Sequence, residues 1–462
     1  MESDSLLVGI DVGTTGSRCM IFEMNGQCVA SAYREYPLHH LRAGWVEQSV
    51  PEIMEATTSA CLEAIGKIDA ERIASVGLST QQCATCPTTS TGELIRPMIS
   101  WQDIRAEAQV QHIESQIGAA RYQSITGVPP LANSTLTKIL WLREHEPDTF
   151  ERAGKWLQVQ DLVLKFLGAE DFFVDIPQAI FYGMWDVSKL DWNDELLALA
   201  GLDTSHFGKV VPAGTQVGEI SLIAAAKTGL PAGTPLCVGG GDQACGAVGM
   251  GAISPGITTI TLGTSGMVTM STEKPRIDLT EFLTINHPTT GQWALQAPTL
   301  AAATCYGWFR DTFGQAEIDV AERDDSNAFE LLNKLAAQAP PGSDGLIFLP
   351  HLNTAGAPYW NTEARGAYLG FMQNHSRSHF ARAVMEGVVI EVHDNLMRFA
   401  EHGLPLEVIR LGGGATHSPL WNQIQADVYG KPVQVLEEQE STALGAAILA
   451  AVGAGVFSDI NE

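Results

Sequence analysis

The feature that most constrains the fold is a strand–turn–strand unit that occurs twice. Near the N-terminus the chain reads LLVGIDVGTTGSRCMIF, and far downstream ITTITLGTSGMVTM has the same form: an apolar run, a Gly-Thr-(Thr/Ser)-Gly turn and a second run. The glycines that open the turns, Gly13 and Gly263, stand 250 residues apart, which predicts two domains of related architecture rather than a short tandem array. Length agrees, because 462 residues exceed one ordinary core of roughly 100–200 residues. Hydrophobic residues make up 45 % of the chain and charged residues 17 %, the balance of a folded, well-buried protein.

Between the two units the elements alternate. Asn25-Gly26 is a hairpin signal that predicts three antiparallel strands over the first 35 residues or so. A helical pattern follows Pro51, and ASVGLST reads as a strand ending in the polar loop Gln81-Gln82-Cys83. LIRPMISW is another strand candidate, delivering Trp101, Gln102 and Asp103. Residues 134–170 read as helical throughout, and TPLCVGGG as a buried strand that places the domain boundary near residue 238, giving domains 1–238 and 239–462.

Each Gly-Thr turn suits an anion. Glycine allows close backbone approach, and hydroxyls add donors, so Gly13, Thr14 and Thr15, and likewise Gly263, Thr264 and Ser265, can meet phosphate oxygens. No Walker A sequence occurs, so a phosphate site here is of another design. Asp11, between a strand and such a turn, can hold Mg²⁺, which favours one or two carboxylates plus substrate oxygens.

In VGGGDQACGAV, Gly239, Gly241 and Ala244 loosely fit a dinucleotide fingerprint, but Asp242 within the turn would repel a pyrophosphate. A carboxylate there suits a general base that takes the proton of an attacking hydroxyl; the alternative is a helix cap. Further on, VIRLGGGATHSPLWNQIQADVYG gives a strand, the loop Gly412–Gly414, and a helix with Ser418 as N-cap, Leu420, Ile424 and Val428 on one face, and Gly430 past its end. The bare loop leaves a slot for a flat base such as adenine, or is a simple tight turn.

Lys and Arg total 27 against 53 Asp and Glu, a net charge of −26 without a basic run, which argues against nucleic-acid and anionic-membrane partners. MESDSLLVGI lacks a basic n-region, and the apolar stretch TALGAAILAAVGAGVF is shorter than the roughly 18–20 residues a bilayer needs, so it reads as a tightly packed helix. Eight scattered cysteines imply a reducing, cytoplasmic setting. Cys83 and Cys86 have redox-motif spacing, but no second pair completes a zinc site. Trp45 reads as core, with packing on substrate the other use.

Taken together, I-D-V-G-T-T-x-S-R, Gly-Gly-Asp-Gln, Leu-Gly-Thr-Ser-Gly and Gly-Gly-Gly-Ala resemble the FGGY carbohydrate kinases, over essentially the whole chain. STLTKILWLREHEP, with Lys138 and Trp141, is similar to the family's first signature, and GAYLGFMQNHSRSHFARAVMEG, with Gly370 and Glu386, to its second. The resemblance implies an α/β, two-domain actin-like ATPase (ribonuclease H-like) fold with ATP·Mg²⁺ in a cleft between the domains. It implies a small sugar or polyol held mainly by the N-terminal half, at Gln81, Gln82, Cys83, Trp101, Asp103, Asp242 and Gln243. It further implies Asp242 as general base, Asp11 with Asp242 at the metal, the two Gly-Thr turns and Arg18 at the phosphates, and Gly412, Gly413, Gly414, Ala415 and Asn422 at the adenosine. WQDIR at 101–105 and PYWN at 358–361 resemble the xylulokinase branch, whereas Gln81-Gln82-Cys83 stands where that branch usually shows Gln-Met-His. WFRDTF at 308–313 is similar to kinases for autoinducer-2, and the Arg-Glu pair typical of glycerol kinases is absent. A kinase for glycerol, a tetrulose or autoinducer-2, and a non-catalytic nucleotide-binding module, are the alternatives. A homodimer is one assembly open to such a chain.

Overall fold

The apolar runs at the N-terminus form an antiparallel meander of β1 (Leu6–Val12), β2 (Gly16–Glu23) and β3 (Cys28–Glu35). In this computed structural model, which describes residues 4–436 and 440–462, the Asn25-Gly26 turn closes as its chemistry requires. Gly26 takes a φ of +86° and Gln27 N–H donates to Asn25 Oδ1. α1 (Val50–Ile65), capped by Ser49 and carrying Pro51 in its first turn, then crosses over to β4 (Ile73–Thr80), which runs parallel to β1. β5 (Gln216–Glu219) and β6 (Pro235–Gly241) complete a sheet of order β5-β6-β4-β1-β2-β3.

Alternation along β1 decides what each face carries. Leu6, Val8, Ile10 and Val12 join the core beneath α1, with Ile53, Ala60 and Ala64 of that helix. Leu7 faces the other way, packing on Ala443, Ala447 and Ala451, so Asp11 lies on that second face by the period of two. The helix there is the predicted small-residue one, Ser441–Gly453. Its approach is so close that a Cβ on Gly9 would sit 1.9 Å from Ala443 O, which explains why Gly is needed in a central strand. Among the described residues no helix is long and apolar enough to cross a membrane.

Two compact units divide the chain. The first comprises Met1–Ile253, Thr272–Ala294 and Glu440–Glu462, and the second Ser254–Ser271 and Leu295–Gln439. The second contains the repeat: β7 (Ile257–Leu262) and β8 (Gly266–Thr272) form the hairpin, β9 (Trp293–Thr299) pairs beside β8, and β10 (Val408–Gly412) and β11 (Val433–Val435) follow in parallel. Its order β9-β8-β7-β10-β11 reproduces β3-β2-β1-β4-β6 of the first unit. The recurrence of the Gly-Thr turn thus reflects recurrence of a five-strand topology.

Two expectations need correction. Residues 134–170 are not one helical run: α2 (Thr135–His145) and a short helix Pro147–Arg152 are followed by a strand, Lys155–Leu157, before α3 (Val159–Leu167). That strand pairs antiparallel with Cys86–Thr88, a partner nearly 70 residues away that no local window reveals. In the helix Pro419–Tyr429 the limits are as read, with Ser418 accepting from Trp421 N–H and Gly430 left-handed, but the buried stripe is Trp421, Ile424, Gln425 and Tyr429, with Leu420 and Val428 only half-buried.

Candidate active site

In the first unit three parallel strands end side by side, and each end carries a polar group. Asp11 of β1 is in register with Ser79 of β4, and Gly240 of β6 with the same Ser79. Asp11 and Gly240 therefore stand on either side of one common neighbour, about 10 Å apart at their Cα atoms by strand spacing, and Asp242 follows two residues beyond Gly240. Between them β4 runs into Gln81, whose N–H continues the ladder to Val12 O at 2.8 Å.

Asp242 opens α4 (Asp242–Gly249), for which Gly241 is the N-cap and supplies no side-chain bond. The carboxylate is thus not the cap. Its Oδ1 accepts from the N–H of its neighbour Gln243, at 2.7 Å. Burial raises its pKa to about 6, partly offset by hydrogen bonding from Gln243. Such a group is ionised at neutral pH yet a stronger base than a free carboxylate. α4 is locked onto the helix Ser441–Gly453 through small residues: a Cβ on Gly249 would meet Ser441 O at 1.8 Å.

Asp11 is raised further, to about 7, by burial first, then by Asp242 and Glu440, against lowering by Ser79 and Arg18. Its Oδ1 is buried with no hydrogen-bond partner. A buried, unpaired carboxylate oxygen close to a second carboxylate is an uncompensated negative site, and a divalent cation would satisfy it. A pair of carboxylates suits Mg²⁺, which takes one or two of them plus substrate oxygens; among the described residues no group of three or more His, Cys, Asp or Glu side chains is arranged to hold a metal. His375 and His379, four residues apart, are spent on the start of one helix and on Asp344.

The first Gly-Thr turn closes through Gly13 N–H to Gly16 O at 3.0 Å, braced by Tyr36 OH on Gly13 O and by Gln48 Nε2 on Thr14 O at 2.8 Å. The second closes one residue earlier, Gly263 N–H to Ser265 O at 3.0 Å, braced by Thr304 Oγ1 on Thr264 O at 2.6 Å. No hydrogen bond among the described residues engages the N–H groups of Thr14, Thr15, Thr264 or Ser265. A Cβ on Gly13 or Gly263 would meet nothing closer than 3.5 Å. Free amides in front of open space are what a phosphate needs. Arg18 is half-buried and paired with Glu440 at 3.0 Å.

Of the predicted acceptor residues, Gln81 is fully buried with both side-chain polar atoms unpartnered, and Gln82 packs on Gly241, where an added Cβ would lie 2.1 Å from its Nε2. Gln82 thus reaches the residue before Asp242. Trp101, partly exposed, donates Nε1–H to Thr14 Oγ1 at 2.8 Å and joins its loop to the first phosphate turn. Asp103 is fully buried with both oxygens engaged, by Arg105 and by Val46 N–H, so it frames the loop. Trp45 is part of this frame, sandwiched between the Arg42 and Arg105 guanidiniums at 3.5 and 4.0 Å. Cys83 and Cys86 are buried free thiols pushed up to about 12 by burial, unsuited to redox exchange.

Cys83 has a φ of +60°, unusual for a residue with a side chain and worth about 1–3 kcal/mol of strain. Sequence reading assigns it no cause. The structure does: the fully buried Lys138 of α2 donates from Nζ to Cys83 O at 2.5 Å, to Ser100 O at 2.9 Å and to Ile99 O at 3.4 Å. Burial pulls this ammonium down to about 7, against a smaller upward push from Cys83 and Asp103.

In the second unit the strand residue equivalent to Ser79 is Gly412, which pairs with Thr261 as Ser79 pairs with Asp11. Gly413 takes a φ of +82°, and its Cβ would strike Leu262 O at 2.7 Å, whereas Gly414 faces open space. Ala415 is buried, and Asn422 donates Nδ2–H to Thr416 O at 2.8 Å, leaving Oδ1 buried and unpartnered. An open glycine beside an unused acceptor suits an amino-purine edge.

The comparisons with known proteins bear on this geometry. The model of the FGGY family of carbohydrate kinases, N-terminal domain, matches residues 6–249, and that of the C-terminal domain matches residues 258–454. The chain is 29 % identical over 458 residues to a gluconokinase of Bacillus subtilis strain 168, covering 99 % of this chain and 89 % of that one. It is 30 % identical over 460 residues to the xylulose kinase of the same organism, covering 99 % and 90 %. The solved structure of ligand-bound xylulose kinase from Lactobacillus acidophilus matches with a TM-score of 0.90 at 26 % identity, over 99 % of this chain and 91 % of that one. With both family domains matched along nearly its whole length, the chain belongs to the FGGY family of carbohydrate kinases, ATP-dependent phosphotransferases with a two-domain actin-like fold.

Proposed function

We propose that this kinase phosphorylates a primary hydroxyl of a small ketose or polyol, with a pentulose foremost: D-xylulose and ATP would give D-xylulose 5-phosphate and ADP. The observation that carries the reading is Asp242, a carboxylate raised to about 6 by burial, just past a strand end and bonded by Gln243 N–H. It takes the proton of the acceptor hydroxyl as that oxygen attacks the γ-phosphorus in line. Gln81, Gln82 and Gln243 offer amides to the sugar hydroxyls, Trp101 an indole to its carbon face, and Cys83 shapes the loop. Thr14, Thr15, Arg18 and Gly13, and Gly263 with Thr264 and Ser265, receive phosphate oxygens; Gly412–Ala415 and Asn422 receive the adenosine. Asp11, with Asp242, would hold Mg²⁺, which when bound offsets phosphate charge. Eight free cysteines support a reducing, cytoplasmic setting.

A second reading takes gluconate as acceptor, favoured by the 29 % identity over 99 % of the chain to a gluconokinase. Glycerol, a tetrulose and autoinducer-2 remain on the same fold. The test is ADP release from Mg·ATP with D-xylulose, D-ribulose, L-xylulose, gluconate, glycerol, a tetrulose and autoinducer-2. D-Xylulose is expected to lead glycerol by roughly tenfold or more in kcat/KM, the scale set by one buried polar contact. A lead of that size for gluconate would move the reading to gluconate. Absence of turnover with all of them would sink it.

A further inference from the structure

Lys138 stands apart from the residues that meet substrate, yet it is fully buried and its three described partners are main-chain carbonyls of the Gln81–Cys83 loop and of the segment Ile99–Ser100. Both bear on acceptor candidates: Cys83 O belongs to Gln81–Cys83, and Ile99 O and Ser100 O lead into Trp101. Among the described residues no carboxylate bonds the ammonium; its neighbour Asp103 is taken by Arg105. The three carbonyls differ in how far they depend on it. Ile99 O also receives Thr85 N–H at 2.9 Å, and Ser100 O receives Asp103 N–H at 3.2 Å. Among the described residues, no other donor reaches Cys83 O.

That carbonyl is the one next to the left-handed turn. A residue with a Cβ leaves φ of +60° unless something holds it, and a buried hydrogen bond donated to its own carbonyl is such a hold. Relaxation of Cys83 to a negative φ would swing Gln82, which now lies against Gly241 at the foot of Asp242.

We propose that Lys138 is a positioning residue: by holding Cys83 in the left-handed conformation it sets Gln82 against Gly241, the residue before Asp242, and so determines affinity for the acceptor. The inference rests on the proposed acceptor site, and its test separates the two. A Lys138→Met variant keeps the stem and removes the donors. Acceptor KM should rise tenfold or more, with KM for ATP within twofold of the wild-type value. In a Cys83→Gly background, where a positive φ needs no hold, the same Lys138→Met change should raise acceptor KM less than threefold. A merely structural lysine would show no such rescue, and equal losses in both backgrounds would overturn the proposal, as would an unchanged acceptor KM. Should Lys138→Met fail to fold, Lys138→Gln, which retains an amide donor, is put through the same cycle and is expected to lose less than tenfold. The crystal structure of the folded variant reads the loop without any turnover: Cys83 at a negative φ with Gln82 withdrawn from Gly241 supports the proposal, and an unmoved loop overturns it. Inactivity of the wild-type enzyme on every acceptor would count against the sugar reading alone.

Discussion

Replacing Asp242 by Asn should make the enzyme slower and more stable at once. The change is isosteric, and Oδ1 can still accept from Gln243 N–H, so the fold and nucleotide binding are kept. Removal of a general base costs about 10²–10⁴ in kcat, or roughly 3–5 kcal/mol of barrier. Stability moves the other way. Burial raises the carboxyl from 3.8 to about 6 in the folded protein, so between those values the native state binds more protons than the unfolded chain. Stability from this group therefore falls as pH rises from 3.8 to 6 and stays low above 6. A rise of that size, discounted because the residue is only half-buried, amounts to about 1–3 kcal/mol. The assay is thermal unfolding of both proteins in EDTA without nucleotide, at pH 8 and again near pH 4.5. At pH 8 the variant should melt higher, by about 2–4 °C for each kcal/mol, and the gap should shrink towards pH 4.5. A kcat loss below tenfold would refute the base. A gap of the opposite sign, or one indifferent to pH, would refute the electrostatics.

Asp11→Asn should raise the Mg²⁺ concentration for half-maximal velocity by roughly tenfold or more, with acceptor KM little changed; initial rates over a Mg²⁺ series check this, and an unshifted curve removes Asp11 from the metal. Gly413→Ala should lower stability by about 1–3 kcal/mol because of its positive φ and the Leu262 carbonyl 2.7 Å from the new Cβ. Gly414→Ala should melt like wild type and instead raise KM for ATP several-fold, since only open space adjoins it. Equal effects of the two substitutions would argue against an adenosine site there.

What could be read in the sequence follows from how local its cause is. The Gly-Thr turns, the Asn25-Gly26 hairpin and the Ser418-Pro419 helix start each depend on residues within four positions, and all three fold as read. The small-residue C-terminal helix was legible as tight packing, but not that it covers the face of β1 from which Asp11 projects. The strand Lys155–Leu157 escapes notice because its partner Cys86–Thr88 lies far off in sequence, and LIRPMISW shrinks to the two-residue strand Met98–Ile99, paired with residues 47 and 48. Asp103 looks like a ligand in sequence because nothing there shows Arg105 and Val46 closing on it. Lys138 stands in the stretch similar to the family's first signature, but its partners do not show there: its acceptors are carbonyls 38 to 55 positions away, and carbonyls leave no signature in side-chain patterns. Asp175 was missed too. It is fully buried, raised to about 7 by burial, and has one unpartnered oxygen; the signal was its place before Ile176-Pro177, where it caps a short helix through Gln178 N–H.

The most direct measurement of Asp242 as base is the pH dependence of kcat/KM for the acceptor, at saturating Mg·ATP. With its carboxyl at about 6, the rate should fall tenfold per pH unit below that value and level off above it, and the residual activity of Asp242→Asn should lack that acid limb. A profile flat from pH 5 to 8, or an acid limb that survives in the variant, would contradict proton transfer to Asp242.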